Sequence, residues 1–264
     1  MTGNETYKAV ADAKRAEILA DTDSPFTIEV QFLGGLSDAQ KAAFKGAADR
    51  WAQVIVGDLP DMLMPGVRPI DDLRILAWGM RVDGPQGVLG AAKPLVMRPA
   101  SARPSSLLPA LSYMYFDVGD LDTMEANGSL RHVITHEMGH ALGLGATVWQ
   151  LKNLMRGFDT DNPVFTGATA IEEYRRLRGS EVAEPVPLAN VGQAGSRNSH
   201  WRESVFDTEL MTPRADPEPP LSRLTVAALQ DLGYQVDFEA ADPYVLPEEP
   251  PDADKATFTC AVDH

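Results

Sequence analysis

Residues 129–145 read SLRHVITHEMGHALGLG, and the fold is read outward from them. Leu130, Ile134, Met138 and Ala141 recur at three- and four-residue steps, the period of a helix with one buried face. Ser129 is the N-cap candidate, and Gly143 stands where the chain must leave the helix and turn. Within this helix His136-Glu137-Met138-Gly139-His140 places two imidazoles four residues apart, about 40° around the axis, so both project from one face and can share a metal ion. Glu137 sits about 100° from His136, at the edge of that face, where a carboxylate reaches a metal-bound water without joining the ligand set. The spacing therefore predicts zinc ligands at His136 and His140 and a general base at Glu137.

A catalytic zinc takes three protein ligands and keeps a fourth position for water. His132 lies one further turn back, but turns rise by about 5.4 Å, so three histidines on one straight helix cannot close around one ion. His132 is read as a structural or supporting residue. In the pattern HExxHxxGxxH the third histidine follows the glycine by three residues, and here that position is Ala146. The residues alone leave His200, Glu172 and Glu173 open as the third ligand.

Upstream, Phe26, Ile28, Val30 and Phe32 alternate as in a strand stopped by Gly34-Gly35, and Ser37 caps a helix to about Val56. Short apolar runs between 71 and 118 suit further strands of the same sheet, with 98–110 as a loop. Residues 6–20 read as a polar, alanine-rich helix within an N-terminal appendage, 1–24. Downstream, 146–220 is rich in Gly, Pro and polar residues with one helix at about 168–178, and 221–233 reads as a capped helix ending at Gly233. The acidic, proline-rich tail 247–264 has the composition of a disordered segment. The organisation expected is a catalytic domain over 25–246, divided into lobes 25–145 and 146–246.

With 38 acidic against 23 basic residues the formal net charge is -15, which repels phosphate backbones and anionic lipid and argues against nucleic acid as a partner. An acidic surface attracts hard cations such as Ca2+, yet no run of Asp, Asn and Gly has EF-hand spacing, so calcium has no motif behind it. A single cysteine, Cys260, excludes an intrachain disulfide and reads as a spectator thiol. No stretch of about 18 apolar residues spans a bilayer, and the first residues carry no apolar run behind a basic start, as a secretory signal would. That points to a cytoplasmic chain, to another export route, or to a leader already removed.

The chain resembles the leishmanolysin family of metzincin zinc metallopeptidases, particularly its compact bacterial relatives. The resemblance runs through His136–Gly143, Phe165-Thr166-Gly167, Ser199-His200-Trp201-Arg202-Glu203, Glu209-Leu210-Met211-Thr212, Leu221–Thr225 and Asp231-Leu232-Gly233-Tyr234. It implies His200 as the third ligand, brought back after an insertion, and Met211 as the methionine of a turn beneath the metal. It implies an α+β, metzincin-like fold: an N-terminal twisted mixed sheet with two long helices, a cleft, and an irregular C-terminal lobe bearing the Met-turn. The resemblance also implies that the protein is secreted and acts as a broad endopeptidase on polypeptides, which bind by strand addition along an edge strand. The rival functions are a zinc hydrolase acting on a non-peptide substrate and a non-catalytic binding protein that retains the zinc site.

Overall fold

The computed structural model describes residues 5–85, 87–192, 195–214 and 216–248, and the backbone of 259–260. The N-terminal half is built on one sheet. Its strands are β1 (Thr6–Val10), β2 (Thr27–Gly34), β5 (Leu73–Met80), β6 (Val88–Met97), β7 (Pro109–Asp117) and β11 (Thr259–Cys260), in the order β1-β2-β5-β7-β6-β11. Pairings β2–β5, β5–β7 and β6–β11 are parallel, whereas β1–β2 and β7–β6 are antiparallel, so the sheet is mixed, as expected. A small hairpin, β3 (Met62–Met64) with β4 (Val67–Ile70), lies outside it.

Alternation along each strand decides which face is core. Ile28, Val30 and Phe32 of β2, Leu73, Ile75 and Ala77 of β5, and Met114 and Phe116 of β7 are all buried. Two long helices cover that face, α2 (Asp38–Val54) and α4 (Leu130–Ala141), with α3 (Val118–Asn127) beside α4; α1 (Ala13–Ala20) links β1 to β2. Helix α2 begins in a capping box: Ser37 accepts from the Gln40 N–H while the Gln40 side chain accepts from the Ser37 N–H. Phe44 of α2 meets Phe32 and Phe116 edge-on, at 5.9 and 5.4 Å between centroids. On the other face Trp78, Tyr113 and Tyr115 stack across β5 and β7.

The C-terminal half holds α5 (Ala146–Leu151), the two-residue strands β8 (Met155–Arg156), β9 (Val164–Phe165) and β10 (Val186–Pro187), α6 (Ala168–Leu177), α7 (Glu203–Phe206) and α8 (Arg223–Leu232). Trp149 and Trp201 stack at 5.5 Å, and Phe165 meets both rings edge-on. Asp231 accepts the N–H groups of Thr169 and Ala170 at the start of α6, and Gly233 ends α8 at φ 107°, a conformation only glycine adopts freely.

Three expectations are corrected. The helix read over 6–20 occupies only Ala13–Ala20; Thr6–Val10 is an edge strand, because pairing with β2 supplies what its sequence lacks. Ser129 does hold the N-cap position of α4, but without the side-chain cap bond; its N–H donates to the Asn127 side chain. The loop over 98–110 ends earlier, since Pro109 and Ala110 already belong to β7. The disorder expected of the tail falls mostly outside the described residues. So does the Cys260 side chain, although the backbone of Thr259–Cys260 pairs with Val88 and Gly90 of β6.

Candidate metal centre

Helix α4 is fixed along its whole length before any ligand is considered. The Trp51 indole of α2 donates to the Thr135 carbonyl at 2.9 Å, the Ser112 hydroxyl of β7 donates to Ala141 O at 2.7 Å, and the Tyr234 hydroxyl donates to Leu142 O at 2.9 Å. Beyond it Gly143 takes φ 101°, and the Gly143 and Leu144 N–H groups return to the carbonyls of His140 and Gly139. The chain thus leaves the helix at the glycine read from the sequence as its exit.

His136 and His140 of α4 and His200, just before α7, come together. Their Nε2 atoms form a triangle with sides of 3.1, 3.1 and 3.2 Å. Each Nδ1 faces a backbone carbonyl: Leu210 O at 2.7 Å for His136, Leu144 O at 2.6 Å for His140, and Ser196 O at 2.8 Å for His200. A carbonyl only accepts, so each Nδ1 carries the proton and each Nε2 presents a bare lone pair. Three lone pairs aimed at one another repel unless a cation sits among them. The centre of the triangle is about 1.8 Å from each nitrogen, just inside the ~2.0–2.1 Å zinc–imidazole bond. The donor set therefore fits zinc.

Burial pushes all three imidazoles toward the neutral form, to about 4 for His136, about 3 for His200 and well below the usual histidine range for His140. Repulsion from neighbouring imidazoles adds to the effect at His140 and His200. At neutral pH all three are in the state a metal needs.

The other candidates are elsewhere. Glu172 is held by Arg175 and Arg176, and Glu173 by Arg176 and Arg223, all as ion pairs outside the imidazole group. Neither carboxylate belongs to the histidine cluster, which among the described residues consists of His136, His140 and His200. His132 is half-buried near Arg131, Thr135 and Glu218 and also stands outside it. Glu137, 2% exposed, lies on α4 beside His136. Met211 is buried with its sulfur against Gly139, between the two histidines of the motif.

Sequence reasoning named Glu209 only as part of the resemblance and gave it no role. This carboxylate is fully buried and accepts from the Met211 N–H at 2.6 Å, the Ser222 hydroxyl at 2.6 Å and the Thr225 hydroxyl at 2.5 Å. The Thr225 oxygen in turn accepts from the Trp201 indole at 2.8 Å, so Glu209 ties the methionine segment to α8 and to the residue following His200. Its place in the resemblance, two residues before Met211, was the signal.

Comparison with known proteins identifies the family. The family model described as leishmanolysin matches residues 102–249. Leishmanolysin of Leishmania chagasi is 36% identical over 138 residues, covering 47% of this chain and 23% of that protein. Leishmanolysin of Leishmania donovani is 34% identical over the same span, and a leishmanolysin-like peptidase of Caenorhabditis elegans is 39% identical over 72 residues, 27% of this chain and 11% of that protein. The chain thus spans less than a quarter of the length of these curated relatives. Among the described residues no helix is long and apolar enough to cross a membrane. With more than half of its residues inside the family model, both motif histidines and His200 among them, this chain belongs to the leishmanolysin family of metallopeptidases.

Proposed function

We propose that the protein is a zinc-dependent endopeptidase, with His136, His140 and His200 as the metal ligands and Glu137 as the general base. The observation that carries this reading is the triangle of lone pairs at 3.1–3.2 Å, each locked in place by a carbonyl on its far nitrogen. Zinc, when bound, supplies a Lewis acid for the scissile carbonyl and acidifies a water. Glu137 takes the proton from the attacking water and returns it to the leaving amine. Its burial on the same helix as two ligands keeps it beside the reacting atoms and away from bulk solvent. Met211 forms the apolar floor beneath the ligands, the part played by the methionine of a Met-turn. A polypeptide substrate lies along β6 by strand addition, past the residues that pair with Thr259 and Cys260. We assign the protein itself to the outside of the cell, on the family resemblance alone.

The test is digestion of casein with and without 1,10-phenanthroline, by the parent and by Glu137→Gln. The parent should cleave casein and lose that activity with the chelator. Glu137→Gln should keep one zinc per chain while its rate falls by about 10²–10⁴. Phenanthroline-resistant cleavage, or parental rates from the zinc-replete variant, would remove this mechanism. Metal-dependent hydrolysis of small esters with casein untouched would replace the substrate class.

A further inference from the structure

The segment that brings His200 and Met211 to the imidazole group also gathers a second set of ligand atoms. Glu203 opens α7, Asp207 follows its last residue, and Asp216 lies beyond the methionine segment. One carboxylate oxygen from each lies within 4.8 Å of the others. Calcium–oxygen bonds of about 2.3–2.6 Å place oxygens on opposite sides of one ion about 4.6–5.2 Å apart, so these three are close enough to share it.

Proximity of acids is common, and the decisive residue is Glu203. It is 9% exposed, and both of its carboxylate oxygens are buried without a hydrogen-bond partner. The Thr212 hydroxyl bears on Glu203 but lies within hydrogen-bond length of the carbonyls of Asp207 and Glu209, at 2.9 and 3.0 Å, which compete for its single proton. Arg214 keeps its Nε 4.0 Å from Glu203 Oε1, beyond hydrogen-bond length. A second acidic group, Asp58 with Asp71 and Asp72, shows the contrast. There the buried member, Asp72, accepts from the Thr27 N–H and hydroxyl and from the Leu59 N–H, at 2.6–2.9 Å, and its need for donors is met by the protein. At Glu203 it is not, and a buried carboxylate in that position is costly unless a cation completes it.

We propose that Glu203, Asp207 and Asp216 form a calcium site, distinct from the imidazole centre, that fastens the methionine segment to α7. The three carboxylates outnumber the one guanidinium described against Glu203, an excess of negative charge that a divalent cation offsets. Hard oxygen donors select calcium over zinc, and imidazoles do the reverse, so the two sites load independently. Burial pushes the Glu203 carboxyl up to about 7, against the pull of Arg214 and of the Thr212 hydroxyl and with Asp216 adding to it.

The experiment titrates CaCl2 into the zinc-loaded full chain, dialysed into calcium-free buffer, with calorimetry for stoichiometry, thermal melting for stability and elemental analysis for zinc. We expect one calcium per chain, a melting temperature raised by roughly 5 °C or more at a hundredfold excess over Kd, and unchanged zinc content. Glu203→Gln and Asp216→Asn should each weaken calcium binding by at least about tenfold. Without calcium, Glu203→Gln should melt no lower than the parent, since the amide removes an unpaired buried charge. The proposal is overturned if the parent shows neither heat nor shift up to about 10 mM CaCl2, above the weak end of protein calcium sites. It is equally overturned if both variants keep the full shift, or if MgCl2 reproduces it at equal concentration. None of these readouts requires peptidase activity.

Discussion

The sulfur of Met211 rests against the backbone of Gly139. A Cβ built at Gly139 stands 2.8 Å from Met211 Sδ, 3.1 Å from its Cε and 3.2 Å from Cζ2 of the buried Trp51. The middle of the HEMGH motif is therefore a contact surface between α2, α4 and the methionine segment, and its lack of a side chain is what lets the three meet.

Gly139→Ala should accordingly destabilise the fold by about 1–3 kcal/mol, the usual cost of overpacking a filled core. Urea unfolding measures it. The thioether end is flexible but the Trp51 ring, held by its bond to Thr135 O, is not. A variant as stable as the parent would show that both neighbours yield without cost.

His200→Ala should lose zinc and proteolysis together, with metal affinity down by more than about 100-fold, beyond the 10–100-fold typical of merely supporting residues. Glu172→Ala and Glu173→Ala should retain both, because their carboxylates are occupied by arginines away from the imidazoles. Elemental analysis of the three purified variants decides it; zinc held by His200→Ala and lost from a glutamate variant would reverse the ligand assignment.

Glu209→Ala should cost about 3–5 kcal/mol, since it strands the Met211 N–H and the hydroxyls of Ser222 and Thr225 in a buried site. Glu209→Gln, which keeps one acceptor oxygen, should fall between. Thermal melting orders the three proteins, and an alanine variant within about 1 kcal/mol of the parent would show the anchor to be dispensable.

Asp117 predicts the acid limb of stability. It caps α3 and accepts from the N–H groups of Val82, Asp83, Gly84 and Gly119, at 2.7–3.1 Å. Burial alone would raise its carboxyl, but these four donors hold it at about 2, below the ordinary 3.8. A depressed pKa gives stability that is complete above the unfolded value and lost as pH falls through the folded one. Parent and Asp117→Asn should differ by about 2 kcal/mol near pH 6, and the gap should close between pH 4 and pH 2. A gap constant with pH would mean that the charge is not its source.

Much of this was legible in the sequence where the cause is local. Helix α2 announces itself through Ser37 and Gln40, α8 through Ser222 and Gly233, and the histidine pair of α4 through a spacing that only a helix turns into a common face. His200 became readable through the family resemblance, because nothing near it in sequence marks it as a ligand. Strand β1 was not legible: TYKAV is held by its ladder to β2, a partner remote in sequence. Nor were the three carbonyls that orient the imidazoles, since Leu144, Ser196 and Leu210 contribute backbone, which every residue has.

The stack of Trp149 on Trp201 bears on how such a chain can diverge. One ring lies just after the exit from α4 and the other just after the third histidine, so the polypeptide that leaves the centre is clasped to itself where it returns. Whatever lies between, here three short strands and α6, is a loop closed at its neck. Segments can be lengthened, shortened or exchanged beyond that clasp while the distance between the histidines is kept. The separation of the histidines along the chain is therefore free to drift among descendants, and the neck, more than the count of intervening residues, is what inheritance has to preserve.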